Sequence, residues 1–386
     1  MSKLFDLVNS NRSIVTIIYE LRHRYGLYVK EDERSGLIII KYDRDKSKFN
    51  EPIVHECRGV VMNRSKKILC FPPERSVPLD KFKELTRDHT DEIRYEEHVD
   101  GTMINVFYDP NNETWLKSTR SRIGADCNWL CDETFATLFE EASGQMNFNV
   151  LNKDLCYTFV LVHPKNRIVV KYEIPFICLV SVRRIFQTHY ENVSLEDEHL
   201  SLVEKGISIK VPKRYYFPSI ERMEEYVSHQ DSRTQGIIMK YDKYRAKLRN
   251  KEYTMLKNLK GNTPSLVELY LRLRQERKVK PFLKHFREYR KKFNEFRDDI
   301  HQITFRVYNW YVNVYINKYS ESSEIPYEFK PVCYQLHKMY IDSVKNRRRR
   351  KITLERVISH VNILPIYSLI FIRKHYLNRV DNNLHM

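Results

Sequence analysis

The sequence predicts an α+β chain in two parts: a mixed domain over residues 1–260 and an all-α domain over residues 261–386. Three observations predict this. Short apolar or alternating runs of strand length dominate up to about residue 240. The chain then punctuates at Gly261-Asn-Thr-Pro264, and beyond it the apolar spacing is helical to near the end. Charge divides along the same line. Residues 1–240 hold 35 basic and 36 acidic side chains, while residues 241–386 hold 32 and 14. The net +17 of the 386-residue chain therefore lies wholly in its later part.

Residues 1–30 read as helix, with Ile14, Ile17, Ile18, Leu21 and Tyr25 at helical spacing. Strands are expected at 37–41, 59–62, 67–71, 102–108, 114–117, 157–161, 168–172, 176–183 and 236–240. Asp109-Pro-Asn-Asn112 supplies the turn chemistry for a hairpin between two of them. Helices interrupt near 125–143 and 219–228. In the second part, helices are expected at 265–277, 281–319, 327–346 and from 353 onward.

Composition excludes several classes. A hydrophobic share of 42%, with 26 Tyr, 19 Phe and 3 Trp, provides material for packed cores and argues against global disorder. Nine glycines are too few for a glycine-rich or collagen-like chain. No apolar run reaches the ~18 residues of a membrane span, so no membrane partner is expected, and the N-terminal stretch lacks an apolar signal core. The seven cysteines are odd in number and scattered without a C-x-x-C pair, which reads as reduced thiols in an intracellular protein rather than a zinc site; the cytoplasm, of an infected cell or otherwise, is the expected place, with the nucleus as the alternative.

Four short segments carry the chemistry: Glu56-Cys-Arg-Gly59, His98-Val-Asp-Gly-Thr102, Pro164-Lys-Asn-Arg-Ile-Val169, and Gln235-Gly-Ile-Ile-Met-Lys240 followed by Ala246-Lys-Leu-Arg249. Each is weak alone, since Asp-Gly is usually only a turn. Together, in this order, and with Lys81-Phe82 between the first two, they resemble the nucleotidyltransferase motifs of ATP-dependent RNA ligases of the bacteriophage RNA ligase 1-like group. The resemblance spans roughly residues 50–262. It implies an ATP-grasp-like ligase domain of antiparallel sheets with flanking helices. It also implies a three-step reaction: a lysine takes AMP from ATP, passes it to an RNA 5′-phosphate, and a 3′-hydroxyl displaces it. ATP or AMP is the implied cofactor, with Mg2+ or Mn2+ in an active form and metal ligands unassigned.

By the resemblance, Arg58 falls at the arginine that touches the AMP phosphate, and Lys81 at an upstream Lys-Phe pair. Asp100 and Gly101 match the nucleophile motif after its lysine. Arg120 stands where a lysine is usual. Lys240 closes the fourth segment, Lys247 matches the first lysine of the last motif, and Arg249 replaces its second. An Arg keeps the charge but not the compact ammonium.

The departures are sharper. His98 occupies the position of the nucleophilic lysine, Val160 that of one glutamate, and Gln235 that of another. No other K-x-D-G occurs in the chain. Three readings of His98 follow: a substitute nucleophile, since neutral imidazole can attack phosphorus; part of a pocket that binds a nucleotide without reacting; or packing in a pocket that no longer binds. Valine offers no acceptor to a metal or ribose, which favours the last two. Simpler structural readings stand beside the others: Arg58 as a salt-bridge partner, Lys81 and Lys247 as solvated cations, Asp100-Gly101 as a tight turn.

In the second part Phe282, Phe286, Tyr289, Phe293 and Phe296 form a helical stripe that reads as core. Arg347-Arg-Arg-Arg-Lys351 is a run of five cations. With the local excess of charge it fits a surface that follows a phosphate backbone, so RNA, including structured ends such as tRNA, is the expected partner. Three functions are thereby open: an RNA-end-binding protein of ligase fold that has lost lysine adenylylation, an active RNA ligase using His98 with Lys247 beside it, and a capping-type guanylyltransferase. The Glu56–Gly59 segment and the helical tail favour the ligase branch over the capping one.

Overall fold

A computed structural model describes residues 2–207, 209–348 and 350–384, and it divides into two compact units, Met1–Asn258 and Leu259–Met386. The first unit holds α1 (Lys3–Val8), α2 (Ile14–His23), β1 (Leu27–Glu31), β2 (Ile38–Tyr42), α3 (Pro52–Glu56), β3 (Arg58–Met62), β4 (Ile68–Cys70), α4 (Leu79–Leu85), β5 (Arg94–Glu97), β6 (Thr102–Asp109) and β7 (Thr114–Ser118). It continues through α5 (Phe135–Ala142), β8 (Leu155–Val162), β9 (Phe176–Ile185), β10 (Tyr190–Asn192), α6 (Leu195–Glu204), β11 (Arg214–Tyr215), α7 (Ile220–Ser228), β12 (Gly236–Tyr241) and β13 (Tyr244–Arg249), and it ends within α8 (Lys251–Lys260).

The strands form three antiparallel sheets in the orders β1-β2-β3-β4, β10-β9-β8-β6-β7 and β11-β5-β12-β13. Each sheet packs an apolar face against helices, and the first two sheets also share a core in which Leu37, Ile39, Val61 and Leu69 meet Phe107 and Cys156. Ile38, Ile40, Val60 and Met62 pack against Phe5, Ile17 and Leu21 of the first two helices. Ile104, Val106, Tyr157, Phe159 and Leu179 pack against Leu138 and Phe139 of α5. Tyr95, Ile237, Met239 and Ala246 pack against Phe82 of α4 and Met223 and Val227 of α7. This is an α+β fold of antiparallel sheets with flanking helices, followed by a helical region.

Several sequence expectations change. Residues 1–30 do not form one helix. Gly26 sits at φ +67°, where a Cβ would strike the Lys46 carbonyl at 2.2 Å, and the chain leaves α2 to begin β1. Residues 168–172 are not a strand, because the amides of Val169 and Val170 bond the Asp100 carboxylate instead of a neighbouring strand. The helix expected from 125 starts only at 135. Ala125 and Leu130 take positive φ, and Thr134 caps the helix through the amide of Thr137. Strands β1, β5, β10, β11 and β13 and helices α3, α4, α6 and α8 are additions to the expected set.

The second unit comprises α9 (Leu266–Gln275), α10 (Val279–His285), α11 (Arg290–Tyr311), α12 (Lys330–Lys345), α13 (Leu354–Ile363) and α14 (Ile366–Leu384). The single helix expected over 281–319 is broken at Phe286, whose ψ of 63° leaves the helical region. That break lets Phe282 stack on both Phe286 and Phe293, with ring centres 4.7 and 5.3 Å apart. Phe282, Phe286, Phe293 and Phe296 of the aromatic stripe are buried core, as the spacing predicts, and Tyr289 is half-buried at its edge. Of the cationic run, Arg347, Arg348, Arg350 and Lys351 are exposed between α12 and α13, and Arg349 lies outside the described residues. Among the described residues no single helix is long and apolar enough to cross a membrane.

Candidate functional site

The site forms where the chain leaves β5 and enters β6. His98, Val99, Asp100 and Gly101 make this link, and three neighbours fix it. The His98 amide donates to the Gly236 carbonyl at 3.0 Å, tying the link to β12. Asp100 is buried at 3% exposure, and its carboxylate accepts from Val169 N at 3.0 Å, Val170 N at 2.8 Å and the Tyr253 hydroxyl at 2.6 Å. Gly101 lies so close to β8 that a Cβ would sit 2.4 Å from the Leu161 carbonyl oxygen and 2.6 Å from Val160 Cγ1. The Asp-Gly pair therefore anchors the link to the fold, and Asp100 has its oxygens occupied.

His98 and Gln235, two of the three departures, contact each other. With the Gln235 amide oriented to satisfy its neighbours, its oxygen accepts from His98 Nε2 at 3.1 Å and its nitrogen donates to the Val99 carbonyl at 3.1 Å. The other ring nitrogen, Nδ1, is covered and has no partner among the described residues. Burial drives the imidazole well below its ordinary pKa, and the charges of Arg249, Lys247, Arg245 and Lys257 push the same way. The ring is thus neutral, held in one tautomer, and closed at both nitrogens. Val160, the third departure, pairs with Met103 of β6 and lines the same corner with a side chain that has no polar atom.

Cations surround this corner. In β13, Ala246 and Leu248 face the core against α4 and α7, so the period of two turns Arg245, Lys247 and Arg249 to the opposite face. Lys247 is exposed on β13, yet partial desolvation of its amine, then Arg249, Arg58, Arg245 and Lys257, lower it to about 7. Lys257 lies one turn past Tyr253 on α8, with Nζ 5.7 Å from the Tyr253 ring centre, and its amine is lowered to about 8 by burial and then by Arg249. Arg58 is largely desolvated and donates to the Pro73 carbonyl at 3.3 Å. Arg120 lies over Tyr42, 5.6 Å from the ring centre, close enough for its charge to act on Arg58 and Lys41. The Nε atoms of Arg245 and Arg249 are buried without a hydrogen-bond partner among the described residues. These cations depress one another because little negative charge stands among them.

Two expected site residues lie elsewhere in function. Lys240 is paired with Glu96 at 2.6 Å and donates to the Val180 carbonyl at 3.3 Å, so its charge is already matched. Lys81 is exposed on α4, where its neighbour Phe82 is the core residue. Glu56, from the first motif, accepts from Ser2 Oγ at 2.6 Å and from the amides of Lys3 and Leu4, which secures the start of α1. Sequence reasoning missed Arg245, Lys257 and Tyr253. The alternation of Arg245, Lys247 and Arg249 is a readable signal for the first. Nothing local marks Lys257 or Tyr253, which reach the site through the packing of α8.

The oxygen donors do not suit a divalent ion. Asp100 is saturated, the Gln235 oxygen is taken by His98, Glu96 is paired with Lys240, and a Glu97 oxygen faces the amide of Lys213 at 3.4 Å. Among the described residues no cluster of three His, Cys, Asp or Glu could hold a metal. The same surroundings do suit a polyphosphate, which several unmatched cations would bind.

No protein-family model matches the chain. Curated relatives do. An RNA ligase of Rhodothermus phage RM378 is 25% identical over 249 residues, 54% of this chain and 55% of that protein. A candidate bifunctional polynucleotide kinase/RNA ligase of Autographa californica nuclear polyhedrosis virus is 24% identical over 254 residues, 60% of this chain and 34% of that protein. The chain thus spans about half and about a third of the lengths of these two relatives. Among solved structures, an archaeal ATP-dependent RNA ligase overlaps at a TM-score of 0.41 with 13% identity, covering 76% of this chain and 78% of that one. A candidate ATP-dependent DNA ligase of Aquifex aeolicus overlaps at 0.45 with 15% identity, covering 78% and 81%. Both curated relatives are named as RNA ligases in whole or in part, and it is to RNA ligases that this chain is similar.

Proposed function

We propose that this protein binds RNA ends and a nucleotide, ATP or AMP, through a ligase-type pocket that no longer carries out lysine adenylylation. One observation carries this reading: the side chain at the nucleophile position, His98, is neutral, bonded to Gln235 through Nε2 and covered at Nδ1, while cations persist around it. A nucleophile needs an open lone pair aimed at phosphorus. Here the lone pair is enclosed, and neither Val160 nor Gln235 offers a carboxylate. Arg58, Lys247 and Arg249 would hold the phosphates, joined by Arg245, Lys257 and, from its place above Tyr42, Arg120. The second unit would hold the RNA. Residues 259–386 contain 26 basic and 12 acidic side chains, a net of +14, against +3 for residues 1–258.

The test uses α-labelled ATP with Mg2+ or Mn2+, followed by denaturation. The wild-type protein is expected to retain no covalent label, and His98→Lys to acquire one if the remaining cations still orient the triphosphate. An acid-labile, base-stable adduct on the wild-type protein that vanishes in His98→Ala would overturn the reading. It would make the protein an active RNA ligase with a histidine nucleophile.

A further inference from the structure

The pocket combines many cations with few available oxygens, and this combination bears on the form in which its ligand arrives. Arg58, Arg245, Lys247, Arg249 and Lys257 act on one another electrostatically, directly or through a shared neighbour. None of the five has an ion pair with a carboxylate among the described residues. Arg58 bonds the Pro73 carbonyl, and Arg245 bonds the Glu74 carbonyl at 3.3 Å. Glu74 itself is committed to Arg183 at 2.7 Å and to Tyr190. The buried Nε atoms of Arg245 and Arg249 point to a missing acceptor. Against these cations stand the oxygens already described: saturated at Asp100, paired at Glu96, amide at Gln235 and absent at Val160.

We propose that the pocket takes a polyphosphate group as the free anion rather than as its divalent-metal complex. This rests on the nucleotide-binding reading above and specifies the ligand. Chelation cancels two of the negative charges that the five cations would neutralise. It also brings a divalent ion next to like charges, at a site whose former oxygen donors are gone. The free anion meets neither penalty. Its oxygens supply the acceptors that Arg245 and Arg249 lack, in charge-assisted bonds. Lys247 and Lys257, with amines lowered to about 7 and about 8, take up protons as the anion relieves their mutual repulsion. The polyphosphate could belong to a free nucleotide or to the 5′ end of an RNA chain, since both present the same group.

The experiment is titration calorimetry on the full chain with tripolyphosphate, ATP and a 5′-triphosphate RNA oligonucleotide, each in EDTA and in excess Mg2+. At least tenfold tighter binding in EDTA is expected for tripolyphosphate and ATP. The ratio between the ATP and RNA arms identifies the source of the group. Lys257→Ala, checked by circular dichroism for folding, should weaken the EDTA arm several-fold. The double variant Val160→Glu/Gln235→Glu should shift the preference towards Mg2+. Equal or tighter binding in Mg2+ would overturn this inference and leave nucleotide binding intact. No binding of any probe in either condition would overturn both. Unchanged binding of tripolyphosphate in EDTA by Lys257→Ala would overturn the assignment of the free anion to this cluster of cations.

Discussion

At the scale of single residues, the three positions where the resemblance places a lysine and two glutamates come together. His98 and Gln235 share a hydrogen bond, and Val160 lies against Gly101, so all three belong to one corner. Asp100 illustrates how an intact motif residue can have a structural task. Its carboxylate gathers the 169–170 segment and α8 onto the link after β5. Tyr253→Phe removes one of these bonds inside a buried site. A loss of about 1.5–3 kcal/mol is expected, as for a hydrogen bond to a charged group, measured by denaturant unfolding. The lowered amines give a pH dependence with a definite sign. Arg249, Arg58, Arg245 and Lys257 face Lys247 from β13, β3 and α8, and together with partial desolvation they hold its amine near 7. Below that pH the amine is charged and attracts an anion; above it the charge is lost. Tripolyphosphate affinity should therefore rise as pH falls from 9 to 7, measured as Kd against pH, and Lys247→Arg should flatten the rise.

At the scale of elements, β12 and β13 form the hairpin that presents the cations, and β5 hangs on its other edge. Gly236 makes this possible. Its φ of +143° and the approach of the Leu248 carbonyl leave no room for a side chain, since a Cβ would lie 2.0 Å from that oxygen. Backbone on both sides cannot yield easily. Gly236→Ala is expected to cost about 1–3 kcal/mol by overpacking. It should also weaken ATP binding, because the Gly236 carbonyl holds the His98 amide; thermal unfolding and calorimetry read the two effects. In the helical unit the break at Phe286 is a comparable device. It folds one continuous apolar pattern into two helices whose rings stack, so the stripe is consumed by the core and is not a surface for bases.

At the scale of the whole molecule, charge is divided unevenly between the two units. Residues 1–258 are nearly balanced, yet their cations converge on one corner, while the +14 of residues 259–386 includes the exposed Arg347, Arg348, Arg350 and Lys351. If the second unit binds an RNA backbone, log affinity falls linearly with log salt, by about 0.9 per duplex phosphate and about 0.7 per single-strand phosphate engaged. Replacing these four cations with Gln should weaken RNA binding at low salt and reduce that slope. A slope that stays flat from low to high salt in the wild-type protein would exclude phosphate contacts as the basis of RNA binding.

The amino-acid sequence by itself determined the two-part pattern of short strands followed by helices, and it set His98, Val160 and Gln235 where the resemblance places a lysine and two glutamates. These are local properties: apolar period, turn chemistry and residue type at a spacing. It also determined that Phe282 to Phe296 would be core, because a stripe at helical spacing has few other uses. Tertiary structure alone decided which motif residues remain available. Lys240 is neutralised by Glu96 from a neighbouring strand, and Asp100 is saturated by groups 69 to 153 positions away. It also brought Lys257 and Arg245 beside His98, and gave His98 a partner in Gln235 that closes its ring. Each of these outcomes depends on what packs across sheets and against α8, and on how burial and neighbouring charge reset a side chain's chemistry. Neither is written in the residues that flank it.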